Sequence, residues 1–158
     1  MDLNFYQFGY VTNDFDRAKQ EMIEQHGLKA VADLRGIEVS FPAFGPIRLN
    51  IGFGFAGGAQ FELIEPVDGD ARVYRCVLPD TGYGLRLHHI SRHYSDLSEL
   101  RVALREARRR WPVAMSGEMY GGEYHYFDTR DTLGHFTELS SLPLEVFPPE
   151  GLPPHRDT

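Results

Sequence analysis

Cysteine is nearly absent from this chain: Cys76 is the only one in 158 residues. One thiol cannot close an intrachain disulfide or build a cysteine zinc cluster, so any metal must be held by histidine, carboxylate or amide oxygen. Cys76 itself reads as a small buried hydrophobe. Positive charge is also scarce. The formal net charge is −7, and basic residues cluster only in the run REARRRW, at a predicted helix end. Such a surface opposes a phosphate backbone, which excludes nucleic acid as the expected partner. No apolar run approaches a membrane span, and the opening MDLNFYQFGY lacks a basic segment followed by an apolar one. The expectation is a soluble, cytoplasmic protein with no membrane partner. The length suits one domain with a real core.

Aromatic residues, by contrast, are plentiful, with 11 Phe and 8 Tyr. Two segments carry helical spacing. In NDFDRAKQEMIEQHG, Asn13 or Asp14 can cap the start, Phe15, Ala18, Met22 and Ile23 share a side, and Gly27 stops the helix. In SDLSELRVALREARRRWP, Leu97, Leu100, Leu104, Ala107 and Trp111 recur every three or four residues. Asp96 with Glu99 resembles a capping box, Arg108 to Arg110 suit the negative end of the helix dipole, and Pro112 ends it. Short strands fill much of the rest: NFYQFGYVT, IEVSF, IRLNIGFGF, AQFELIE, RLHHISRHY, EYHYFDT and HFTELS. The glycines of IGFGFAGGA relieve crowding or form a turn, because no helix follows them. The class is α+β, with one domain over residues 1–145 and a proline-rich tail over 146–158.

An internal repeat organises these elements. FYQFGYVTNDF aligns with LHHISRHYSDL, setting Asp14 against Asp96, Phe15 against Leu97 and Gln7 against His89. Farther on, GAQFELIEP aligns with GHFTELSSL, setting Gly58 against Gly134 and Glu62 against Glu138. Module 1 covers about 3–67 and module 2 about 84–142. Each is a strand, a helix and a run of strands ending in a carboxylate. Two such units bury their apolar faces by pairing into one cupped sheet with the helices behind it. Gln7, Glu62, His89 and Glu138 then point into a common concavity. Two buried carboxylates repel and resist desolvation, and a divalent cation resolves the conflict.

These stretches, together with FDTRDTLGHFTELS, resemble the vicinal oxygen chelate superfamily over roughly residues 5 to 142. That group contains glyoxalase I, methylmalonyl-CoA epimerase, extradiol dioxygenases and fosfomycin-modifying enzymes. The resemblance implies two βαβββ modules in one eight-stranded mixed sheet, with metal ligands on the first and last strand of each. Carried over, these are Gln7, Glu62, His89 and Glu138. Two histidines and one carboxylate would suit an iron dioxygenase, and a glutamine in the first position departs from that set. The oxygen-rich set resembles glyoxalase I, which implies isomerase or lyase chemistry through an enediolate. The cofactor would be one divalent ion (Ni, Co, Zn, Mn or Mg), and Glu138 or Glu62 the base. Epimerase relatives carry an extra glutamate base near the position of Asn50, which cannot take a proton. The alternative is a metal-free protein that sequesters a small molecule on the same scaffold.

Register separates the two central histidines. Alternation along a strand sends His89 inward and His88 to the opposite face. His93, which shares the parity of His89, joins Asn50 and Tyr126 as candidates to touch substrate. His125 reads as a solvated strand residue, and His26 and His155 carry no expected site role. The expected partner is a small hydrophobic molecule with adjacent oxygens. Whether the modules pair within one chain or across a homodimer stays open at this level.

Overall fold

In a computed structural model, which describes residues 5–29 and 31–142, the chain begins with β1 (Phe5–Thr12), α1 (Phe15–His26), β2 (Val31–Phe41), β3 (Gly45–Ala56) and β4 (Ala59–Gly69). A short α2 (Arg72–Arg75) leads to β5 (Leu85–His93), α3 (Leu97–Arg110), β6 (Val113–Met119), β7 (Gly122–Phe127), α4 (Arg130–Leu133) and β8 (Phe136–Ser140). The tail over 146–158 lies outside the described residues. The eight strands form one mixed sheet in the order β2-β3-β4-β1-β5-β8-β7-β6. β1 runs parallel to β4, β5 runs parallel to β8, and β1 and β5 meet antiparallel. The β1–β5 seam is therefore a pseudo-twofold relating the two units, which pair within one chain.

Both long helices start and stop as their sequences predict. The Asp14 side chain accepts from the Arg17 N–H, and Gly27 adopts the left-handed conformation, φ 66°, that ends α1. Asp96 caps α3, although it accepts from the Ser98 N–H rather than from the third residue as a capping box would. Each helix buries one stripe on the outer face of the sheet. Phe15 and Ala18 pack with Leu63, and Leu100, Leu104 and Ala107 pack with Phe127 and Leu139.

The inner face carries the larger core, in which Leu49, Ile51, Phe53 and Ile64 meet Val73 and Tyr74 of α2 and Tyr124, Tyr126 and Phe136 of the second unit. The sheet curls until its two edges meet. Phe41, at the end of β2, sits edge-on to Tyr124 with ring centroids 6.2 Å apart. It also crowds Gly117 of β6, where an added Cβ would fall 2.9 Å from the Phe41 ring.

Three sequence expectations need correction. Cys76 is exposed rather than buried, because it follows α2 at the rim. Strand β6 has no counterpart among the predicted strands: its sequence, VAMSGEM, has Val113 as its one β-branched residue and no aromatic, and pairing with β7 overrides propensity. His88 is not on the outer face, for a reason that belongs to the site.

Candidate functional site

Register brings the four carboxylate, amide and imidazole groups together. Gly9 of β1 lies opposite Glu62 on one side and His89 on the other. Gln7 lies opposite Gln60 and Ser91, and Ser91 lies opposite Glu138 on β8. Alternate residues of a strand share a face, so Gln7, Glu62, His89 and Glu138 all project into the concave side. His89 Nε2 is the point of convergence. It stands 3.2 Å from Gln7 Oε1, 3.2 Å from a Glu62 oxygen and 3.5 Å from a Glu138 oxygen. His89 is completely buried, and Gln7 and Glu138 nearly so.

The sequence gives His88 the wrong face because β5 is bulged. Tyr10 pairs with Leu87 and Gly9 with His89, which leaves His88 as the extra residue. A bulge re-aims a side chain, and here both histidines turn to the same side. Their Nδ1 atoms lie 2.9 Å apart. His88 Nε2 lies 2.9 Å from the carbonyl oxygen of Val73 in α2, and its ring packs among Tyr74, Tyr126 and Phe136.

Gly9 is the floor under His89. A Cβ added there would fall 1.9 Å from His89 Cε1, so no side chain can stand at residue 9 while the imidazole keeps its place. Neighbours orient the remaining groups. The Gln7 amide N–H donates to Gln60 Oε1 at 2.8 Å, which turns its oxygen toward His89. The Ser91 hydroxyl donates to Glu138 at 2.8 Å, and the Tyr126 hydroxyl also interacts with that carboxylate. Gln60 Nε2 is the buried side-chain polar atom that lacks a hydrogen-bond partner among the described residues.

Electrostatics follow from burial and from the crowding of like charges. Burial pushes the Glu138 carboxyl above the usual carboxylate range, and the charge of Glu62 adds to this against the opposing pull of His89, Ser91 and Tyr126. For His89, burial disfavours the cation, but the hydrogen bond to Glu62 and the charges of Glu138 and Glu62 outweigh it and raise the pKa. His88 is held far below the ordinary histidine value, first by burial and then by His89.

A cation suits this donor set. Two carboxylate oxygens and an amide oxygen, all acceptors, face one imidazole nitrogen. In the protein alone, a proton on Nε2 is what can satisfy them. Among the described residues no three His, Cys, Asp or Glu side chains are so arranged that they could hold a metal ion as they stand. Instead the oxygens close directly on Nε2. Separations of 3.2–3.5 Å nonetheless match those between neighbouring ligands of one ion with bonds of about 2.1 Å, which stand about 3.0–3.4 Å apart.

Above this polar floor lies a cleft of about 650 Å³, solvent at its mouth included, walled by Leu34, Ile37, Leu49, Phe53, Met119 and Tyr124 among others. Gln7, Glu62, Glu138, Tyr74 and Tyr126 reach it, and no lysine or arginine among the described residues lines it. Tyr126 thus lines the cleft. His93 is buried but does not line the cleft. Asn50 is a correction: its parity is opposite to that of Leu49 and Ile51, and its side chain is engaged outside the cleft. It accepts from the Gly36 N–H at 2.9 Å and donates to Glu65 at 2.6 Å. His125 is buried rather than solvated, between Ser116 at 2.7 Å and Glu123 at 2.8 Å.

No protein-family model matches the chain, and no curated protein matches its sequence. Solved structures do match. A Streptomyces coelicolor methylmalonyl-CoA epimerase variant in complex with 2-nitronate-propionyl-CoA aligns with a TM-score of 0.57 at 17% identity, over 88% of this chain and 96% of that one. The Mycobacterium tuberculosis methylmalonyl-CoA epimerase aligns with a TM-score of 0.58 at 18% identity, over 90% of each chain. A hypothetical protein from Bacillus halodurans C-125 reaches 0.61 at 16% identity, over 88% of this chain and 94% of that one. These likenesses show a shared fold, the eight-stranded mixed sheet with helices described above. In this chain the β1–β5 seam is where both modules present their strands to one concavity, and Gln7, Glu62, His89 and Glu138 occupy it. Sequence reasoning misses Gln60, Ser91 and Gly9. Period-two spacing could have found them, since they lie two residues from Glu62, His89 and Gln7 respectively.

Proposed function

We propose that the protein is a metal-dependent isomerase or lyase of the glyoxalase-like type, acting on a small hydrophobic molecule with adjacent oxygens. One observation carries this reading: three acceptor oxygens converge on a single buried imidazole nitrogen at the floor of a cleft with apolar walls. Gln7, Glu62, His89 and Glu138 would hold one divalent ion such as nickel, cobalt, zinc, manganese or magnesium. When bound, such an ion supplies Lewis acidity toward vicinal oxygens. Glu138, which reaches the floor of the cleft, takes a proton from the carbon beside them. Tyr126, which faces both Glu138 and the cleft, orients the base. The apolar walls grip the body of the substrate and exclude water. Asn50 is turned away, and Leu49 and Ile51 are the residues of β3 that flank it in the cleft wall. An epimerase base at that place has no counterpart, so the proton chemistry rests on Glu138, with Glu62 second.

Metal binding tests the reading first. Protein reconstituted with these ions should bind about one equivalent, and at a free-ion concentration near 100 times Kd its Tm should rise by roughly 5–10 °C. Chelator should reverse the rise, and His89→Ala should abolish it. Less than about a tenth of an equivalent after reconstitution would favour the metal-free binding protein.

Substrate choice provides a second test. Nothing lining the cleft specifies glutathione, whose carboxylates call for cationic partners. Turnover of the hemithioacetal of methylglyoxal and glutathione should be negligible by absorbance assay. Efficient turnover would overturn the substrate class and leave the metal reading intact.

A further inference from the structure

The bulge that turns His88 inward sets up a chain of three groups whose proton positions can be read from chemistry alone. The Val73 carbonyl oxygen can only accept, so His88 Nε2, 2.9 Å away, carries the hydrogen. His88 is completely buried, and its ring is enclosed by the rings of Tyr74, Tyr126 and Phe136. Among the described residues no carboxylate is bonded to it to offset a charge, so it is the neutral imidazole that fits. Its Nδ1 then holds a lone pair, and the 2.9 Å contact with His89 Nδ1 must be donated by His89. With Nδ1 protonated, the other nitrogen of His89 is the one left to meet Gln7, Glu62 and Glu138.

We infer that His88 is a positioning residue that fixes the tautomer and ring orientation of His89 by accepting its Nδ1–H, so that Nε2 is presented to a cation in the seat formed with Gln7, Glu62 and Glu138. Ligating imidazoles need such an outer partner, and loss of one typically weakens metal binding by about 10–100-fold. Here the partner is the sequence neighbour of the ligand. Only a bulge allows this, since a regular strand would place the two rings on opposite faces. Val73 extends the chain into the single turn of α2. A residue on the central seam is thereby braced by the short helix that supplies Tyr74 to the cleft wall.

The inference rests on the metal reading of the site, and the experiment separates the two. Cobalt(II) is titrated into wild type, His88→Phe and His88→Gln, and bound metal is followed by visible absorption, with the Tm of each metal-free protein measured alongside. Phenylalanine keeps the ring packing but cannot accept. The glutamine amide can accept from His89 with its oxygen and donate to Val73 with its nitrogen. His88→Phe should bind about 10–100-fold more weakly, while His88→Gln recovers most of the affinity. Wild-type affinity in a folded His88→Phe protein would overturn the inference. If His88→Phe does not fold, the wild-type protein still decides: long-range ¹H–¹⁵N spectra of the metal-free chain should show His88 protonated at Nε2 alone and a proton on His89 Nδ1. The opposite tautomer at His88 would overturn the inference. Failure of wild type to bind cobalt would count against the metal reading, while the same spectra still decide the role of His88.

Discussion

Glu138→Gln should keep its metal and lose its chemistry. The amide oxygen of glutamine still coordinates and still accepts from Ser91, which donates to Glu138 at 2.8 Å, but it has no basicity near neutral pH. General base catalysis contributes typically about 10²–10⁴-fold. Exchange of the carbon-bound proton of a small hydrophobic α-hydroxyketone with deuterated solvent, followed by NMR, should slow by about that factor. Gln7 is the internal control. It is already an amide, so Gln7→Glu should retain metal and part of the activity. If Glu138→Gln exchanges as fast as wild type with metal bound, the base is elsewhere and Glu62 becomes the candidate.

Gly9→Ala should have the opposite signature, a folded protein with no metal response. The backbone at Gly9 is not in the left-handed region, so alanine imposes no backbone strain. Its Cβ would, however, fall 1.9 Å from His89 Cε1, and one of the two must move. Overpacking of this kind costs about 1–3 kcal/mol, which the domain can survive, whereas displacing His89 removes the one nitrogen ligand of the seat. The metal-dependent rise in Tm should disappear. Gly52→Ala is the comparison, since its Cβ would press on Phe15 and Val31 at 3.1 Å, on the face of the sheet opposite the ligands. It should lower the Tm and leave the metal response unchanged. A wild-type metal response in Gly9→Ala would mean that His89 is not a ligand.

Much of this arrangement is legible from the sequence, for reasons particular to each element. The helices declare themselves because Asp14, Gly27, Asp96 and Pro112 punctuate stripes of regular spacing. The seam is legible because the same strand-to-helix sentence is written twice, and aligning the copies sets Gln7 on His89 and Glu62 on Glu138. What escapes is whatever depends on pairing between distant strands. β6 is a strand through its ladder with β7 rather than through its composition. The bulge at His88 arises from how β5 fits β1, and no local pattern announces a slip of register. Asn50 shows the same limit: parity sets its face, and parity counted over a loose alignment is easily wrong by one.

The meeting of Phe41 with Tyr124 and Gly117 bears on how this protein can change over evolutionary time. β2 and β6 are the ends of the sheet, and unpaired ends are templates for aggregation unless something covers them. Here each end shelters the other, and the same strands bring Leu34, Ile37, Val39 and Met119 over the cleft. Cleft width and solubility are therefore set by one contact. A lineage that trimmed Phe41 to admit a bulkier substrate would unlatch both rims of the cup at once, so the readier route to new specificity is to recut the walls from within, at Leu49, Ile51 or Phe53, and leave the latch alone.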